Sequence, residues 1–354
     1  MRELYINGMS CISPQPSFDK ANFPFEAKEY YTSRLSCIEP DYKPYLDPMA
    51  SRRMGRLLKY GTTAGLQALR DAGVSVPDSI STGTGLGLLD DSGKFLKNVI
   101  EAEEGVVSPT AFIQSTHNTV SSNIALMASC HGHNNTFAHK GFSFESALAD
   151  AQMLTGENRA IKNMLVGAYD EVTDYSYAIM QRLGLTRVKE SSNLNLLKAP
   201  AKGTIAGEGA AFFVLSPERS EHSYAVYRGN MILSKPNSAD VIKAKIGAFL
   251  KQNDLPLANI DIVLSGLCGD EKRDKILTGL NETYFTDQTI LGYKHLCGEY
   301  MTSPAFALWM AAMIIHTLEI PSQTILTDKG RSPNNILICN AYKNNYTLIL
   351  LSAV

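Results

Sequence analysis

Strand-like and helix-like stretches alternate along this chain, which predicts a layered α/β protein with helices covering sheets. Three observations carry that expectation. Short runs of β-branched and aromatic residues recur, segments of helical period lie between them, and the second half repeats the theme of the first. Internal duplication is therefore expected, with the halves meeting near residues 216–223 and no low-complexity linker between them.

Residues 3–13 read as a strand, rich in β-branched and aromatic side chains. Residues 52–72 read as an amphipathic helix, because Met54, Leu57, Leu58, Ala64, Leu66 and Leu69 recur near helical spacing. Gly73 follows as a stop signal. A short strand at 79–87 runs into Gly83, Gly85 and Gly87. Ser108-Pro109 opens a helical region toward Cys130, followed by a strand at 134–139, a helix at 142–154 and an apolar strand at 163–172. Residues 209–215 and 224–234 read as adjacent strands. In the second half, 261–267 and 289–293 read as strands, 304–318 as a helix with proline in its first turn, and 335–341 with 346–354 as a closing strand pair.

The 354 residues carry a formal net charge of −2, with 44% hydrophobic and 19% charged residues. Those figures fit a globular protein with a large interior and argue against a nucleic-acid binder. The six cysteines are scattered and none forms a CxxC pair, so free thiols in a reducing compartment are expected, and neither a disulfide frame nor a zinc site. His131 and His133 would share one strand face, but no third metal ligand is evident nearby. The start, MRELYINGMSCIS, has no basic stretch leading into an apolar run, so no signal peptide is expected and the cytoplasm is the expected location. The most apolar stretch, 304–318, is too short to span a membrane and contains His316; a buried core helix is the expectation.

Five stretches in order resemble β-ketoacyl synthases: RRMGRLLKYGTTAGLQALRDAG (52–73), STGTGLG (81–87), SPTAFIQSTHNTVSSNIALMASCHGHNNTF (108–137, including Asn118), LVGAYDEV (165–172) and GEGAAFFVLSPE (207–218). The resemblance implies a thiolase fold, with a ketoacyl-synthase-like half at 1–218 and a shortened one at 219–354. It implies a duplicated α-β-α-β-α sandwich with two mixed five-stranded sheets, normally dimeric. It also implies a cysteine at the start of a buried helix, with two histidines and a lysine nearby. The helix N-terminus lowers the thiol pKa, and the thiolate takes an acyl chain from a carrier protein. The histidines stabilise the thioenolate formed when a malonyl unit loses carbon dioxide.

The chain departs from that set. The resemblance puts Gly141 at the cysteine position, and no cysteine occurs between His131 and Leu267. Ser143 and Ser146 are the nearby hydroxyls, and GFSFE (141–145) only faintly resembles a hydrolase elbow. Leu267 or Cys268 occupies the first histidine position; a buried structural cysteine is expected there. In KHLCGEY (294–300), Lys294 and Gly298 fit the second histidine motif, while Glu299 takes the histidine's place. A carboxylate about 4 Å from a developing anion costs on the order of 4 kcal/mol, roughly a thousandfold in rate, whereas a protonated Glu299 would donate a hydrogen bond instead. His295 adjoins Lys294 and is expected to point elsewhere, leaving it a poor substitute base. The glycine-rich gate of the family is NAYKNNY (340–346), without glycines.

The resemblance further implies that His139, Lys140 and Phe142 lie near a dimer contact or a partner's pocket. No cofactor and no metal is expected. The leading expectation is a non-condensing, chain-length-factor-like subunit. Its partner would be an active ketosynthase (a heterodimer) or a second copy (a homodimer), served by an acyl carrier protein, in fatty acid, polyketide or polyene pigment biosynthesis. An active ketosynthase or acyltransferase with rewired residues, and a scaffold that docks a carrier protein, are the alternatives. Arg52, Arg53 and Arg56 are read as a solvated face that could meet an acidic carrier.

Overall fold

The computed structural model describes residues 3–19, 21 and 23–354. Its first half comprises β1 (Leu4–Ile12), α1 (Pro48–Ser51), α2 (Arg56–Asp71), β2 (Ser79–Gly83), α3 (Leu89–Glu101), α4 (Thr110–Gln114), α5 (Thr119–Met127), β3 (Asn134–Phe137), α6 (Ser143–Glu157), β4 (Met164–Asp170), α7 (Asp174–Arg182) and β5 (Gly209–Ser216). The second half comprises β6 (Ala225–Ser234), α8 (Ala239–Gln252), β7 (Ile262–Ser265), α9 (Glu271–Thr283), β8 (Thr289–Gly292), α10 (Lys294–Cys297), α11 (Pro304–Thr317), β9 (Ile325–Thr327), β10 (Asn335–Tyr342) and β11 (Asn345–Ser352).

The duplication is written in the hydrogen bonding. Along β1-β5-β4-β2-β3 the pairings run antiparallel, antiparallel, parallel, parallel. Along β6-β11-β10-β7-β8 they run in the same sequence. β9 adds an antiparallel edge to the second set. The two sets are joined where Leu4, Tyr5 and Ile6 of β1 pair with β6, giving one continuous 11-stranded sheet. This link corrects the expectation that 209–215 and 224–234 are neighbours. β1 lies between β5 and β6, because the duplication sets the two equivalent first strands side by side.

Strand alternation divides the core into layers. In β5, Phe213 and Leu215 face the central layer while Phe212 and Val214 face α2 and α5. In β10, Ile336 and Ile338 face the central layer while Leu337 and Cys339 face α8 and α9. The central layer is α6 and α11. α11 has no polar face: residues 304–315 are all buried, so its sequence is apolar all round. None of the described helices is long and apolar enough to cross a membrane.

Candidate functional site

The first turn of α6 lies where β2 ends, at the middle of the molecule. A tight turn at 140–142, with Lys140 at φ 53°, leads into it. Ser143 holds the helix start in place. Its hydroxyl donates to the carbonyls of Thr84 and Lys140, both at 2.8 Å, and accepts the His139 amide at 2.8 Å. That hydroxyl is fully buried and committed to backbone groups, and it ties the turn before α6 to the segment after β2. His139 and Lys140 are exposed, while Phe142 is buried with its ring edge-on to His139.

Gly141 faces Tyr342, at the end of β10. A Cβ on Gly141 would stand 2.7 Å from the Tyr342 ring, inside van der Waals contact. A side chain at position 141 therefore needs the tyrosine to move. Tyr342 is held there by a tight hairpin: it pairs with Asn345 across a two-residue turn, with Lys343 at φ 55°. The 340–346 segment is thus the β10–β11 turn with its flanking strand ends.

Beside Tyr342 lies a chain of ion pairs. Lys294 is fully buried, donates to the Ala341 carbonyl at 2.9 Å, and stands 2.6 Å from Glu299. The other Glu299 oxygen pairs with Arg273 in the first turn of α9. Arg273 also lies over the Tyr342 ring, 6.0 Å from its centroid. This corrects the picture of Glu299 as a bare anion: one carboxylate sits between two cations, and the cluster carries a net positive charge. The electrostatic penalty expected from the sequence does not apply. Arg273 was not legible as a site residue, because it is 26 positions from Glu299 and matches no motif.

Of the remaining candidates, Cys268 borders this cluster, close enough to feel the charges of Glu299, Arg273 and Lys294. His295 is buried on α10, no hydrogen bond of good geometry reaches either ring nitrogen, and burial lowers its pKa to about 4. It is neutral near pH 7 and does not line the cavity beside this cluster. Cys268 is buried, with its backbone N–H and Sγ both directed at Asp274, and burial pushes its thiol well above the usual range. Leu267 packs on the outer core beneath α8 and α9. Arg56 is not a free docking cation: it pairs with Glu39 and lies 2.6 Å from the buried Glu208. Glu208 also accepts the amides of Cys37 and Val172, so the GEG stretch is an internal staple. His133 lies 3.2 Å from Asp150, and no group of three metal-ligating side chains occurs among the described residues.

A cavity of about 280 Å³ reaches the ion-pair cluster from the surface. Leu86, Ile179, Met180 and Leu185 form apolar walls, and Asp170, Glu171, Arg273, Glu299, Tyr342 and Lys343 line it as well. Gly141 does not line it, and among the described residues neither does any cysteine or histidine. Glu171 on the wall is pushed up to about 7 by burial, although it accepts the Asp90 amide at 2.9 Å.

Residues 35–189 match the family model described as beta-ketoacyl synthase, N-terminal domain. No curated protein sequence matches the chain. Solved structures match along its full length. A chain of the ishigamide ketosynthase/chain length factor has a TM-score of 0.80 at 16% identity, covering 100% of this chain and 99% of that one. A beta-ketoacyl synthase from Burkholderia phymatum STM815 gives 0.76 at 17% identity, covering 100% of both chains. A chain of AntDE:AntF, a type II PKS acyl-carrier protein in complex with its ketosynthase bound to the hexaketide, gives 0.75 at 14% identity, again covering 100% of both. With a duplicated sheet around two central helices, and with residues 35–189 similar to the beta-ketoacyl synthase N-terminal domain, the chain has the thiolase-like fold of these ketosynthase structures from end to end.

Proposed function

We propose that this chain is a non-condensing companion subunit, comparable to a chain length factor, of a β-ketoacyl-ACP synthase in fatty acid, polyketide or polyene pigment biosynthesis. One observation carries the reading: the tyrosine ring of Tyr342 fills the space that a side chain on Gly141 would need. Condensation requires a thiolate at that helix start and imidazoles beside it. Here the helix start holds a glycine under a tyrosine, and the lysine beside it is tied up by Glu299 and Ala341. An acyltransferase built on Ser143, Cys268, His295 or Glu299 fits poorly, since each is hydrogen-bonded to backbone, buried or ion-paired.

A partner surface is also available. β3 pairs on one side only, with β2, and its outer edge ends the sheet. α5 packs beside β3, and its Leu126, with Phe112 and Ile113 of α4, is exposed, large apolar side chains of the kind that mark an association face. The neighbour described as a ketosynthase/chain length factor supports a pairing with an active ketosynthase, and the carrier-protein complex supports service by an acyl carrier protein.

The test is co-expression with a candidate ketosynthase, then intact-mass analysis after incubation with acyl-loaded carrier protein. The reading expects a stable heterodimer with the acyl adduct on the ketosynthase alone. An adduct on this chain overturns it, and a homodimer that ignores the ketosynthase favours a scaffold.

A further inference from the structure

Arg187 is a buried cation with no ion pair. It follows α7, is 7% exposed, and its guanidinium donates to the carbonyls of Leu196, Ala199, Gly203 and Gly269. Asp270 and Asp274 favour its charge only from a distance, because their oxygens accept backbone amides. Those amides are Gly203, Lys272 and Arg273 for Asp270, and Cys268 and Gly269 for Asp274. An arginine buried to this extent is rarely left without an anion beside it. Its Nη1 makes a single contact, 3.4 Å to the Ser191 hydroxyl, so one N–H of that nitrogen is uncommitted.

An open pocket of about 400 Å³ lies against this arginine. Thr186, Arg187, Lys189, Ser191 and Lys202 line it, and among the described residues no carboxylate does. Both lysines are exposed, and among the described residues no carboxylate pairs with either. Thr186 is the one wall residue it shares with the cavity beside Tyr342, so the two are separate spaces. The Ser191 hydroxyl accepts from Arg187 and keeps its own proton to donate. Three cations, an arginine fork and a free hydroxyl are the recognition chemistry of phosphate. The number of charges narrows the class. A phosphodiester, such as the pantetheine arm of a carrier protein, brings one negative charge, while a phosphomonoester brings nearly two at neutral pH. We propose that this pocket binds the phosphomonoester or pyrophosphate end of a free small molecule, held by Arg187, Lys189 and Lys202. The site is independent of the companion reading and of any acyl chain.

The experiment uses the purified full chain in a chloride buffer, with inorganic phosphate, pyrophosphate and dimethyl phosphate as probes and affinity read by calorimetry. Pyrophosphate is expected to bind most tightly and dimethyl phosphate, a diester with one charge, most weakly. Phosphate affinity is expected to climb between pH 5 and pH 7.5, because the second phosphate proton leaves at about pH 6. Lys189→Gln and Lys202→Gln lie on exposed sites and leave the fold intact, unlike changes at Arg187, which holds four carbonyls together. Each is expected to weaken pyrophosphate binding about fivefold, and the double variant about 25-fold. Lys251→Gln, an exposed lysine at the end of α8, is the control and should change nothing.

No binding of phosphate or pyrophosphate overturns the assignment, as does binding that the double variant retains in full. An equal loss in Lys251→Gln marks a general effect of net charge and overturns it too. Dimethyl phosphate binding as tightly as phosphate gives the pocket to a carrier arm and overturns the free ligand. If the lysine variants lose a carrier protein while the wild type ignores all three probes, the pocket is a protein-docking face and the assignment is again overturned. None of these readings involves acyl transfer or a ketosynthase, so the companion role is judged separately by co-purification and intact mass.

Discussion

Glu145 is the most exacting test of the physical account. It sits in the first turn of α6, fully buried, and no hydrogen bond of good geometry reaches either carboxylate oxygen. Its surroundings are Thr347 on β11, the Tyr227 and Tyr293 hydroxyls, and the Lys294 ammonium, which is already committed to Glu299. Burial raises its pKa from 4.5 to about 7, and Thr347 and Lys294 offset this only in part. The sign follows from linkage: the folded state holds the proton more tightly than the unfolded state, so stability is greatest below the unfolded value. It falls as pH rises from about 4.5 through about 7, then levels off. At about 1.4 kcal/mol for each tenfold change in proton affinity, the loss attributable to Glu145 is on the order of 3 kcal/mol. Glu145→Gln removes this titration. Chemical denaturation at pH 5 and pH 8 should show the stability of the variant relative to wild type rising by about 2.5 kcal/mol between the two. Glu171 also titrates near 7 but is present in both proteins, so it cancels from the comparison. A difference that is the same at both pH values refutes the reasoning, because Glu145 would then have to be ionised and compensated in the folded chain.

Other outcomes follow from the same site. Gly141→Cys overpacks the Tyr342 ring and should cost about 1–3 kcal/mol, read by denaturation, with slow alkylation of the new thiol. Adding Tyr342→Ala should open the thiol to rapid alkylation, read by intact mass. Arg273→Met leaves Glu299 with Lys294 alone and should destabilise the chain by about 3 kcal/mol; the double variant with Glu299→Gln should lose less than the two single effects combined. Ile113→Glu or Leu126→Glu, both on exposed sites, should leave the melting temperature nearly unchanged and abolish association with a ketosynthase partner in size-exclusion chromatography.

Much of the fold was legible because burial imposes periodicity. The strands at 335–341 and 346–354 proved to be β10 and β11, paired antiparallel, and the apolar stretch 304–318 proved to be the central helix α11. Helices α3, α7, α8 and α9 were not anticipated. Their buried faces are narrow and much of their surface is solvated: α7 buries no residue outright, so its start shows mainly in the Thr173–Ser176 capping box. The place of β1 between β5 and β6 was also hidden, since strand order is a matter of pairing partners far apart in the chain.

From its residue order alone, this chain declared an α/β duplication, a run of ketosynthase-like segments, and a glycine and a glutamate where a cysteine and a histidine were expected. What surrounds those two positions was decided only by tertiary structure. Tyr342 and Gly141 lie about 200 positions apart, and Arg273 and Lys343 lie roughly 180 to 260 positions from the walls contributed by Leu86 and Leu89. Whether a carboxylate is bare or paired, and whether a glycine leaves a void or seats a ring, depends on which distant segments the sheet and the central helices bring together. Charge and volume are local properties of a residue, but their consequences are set by its neighbours in space.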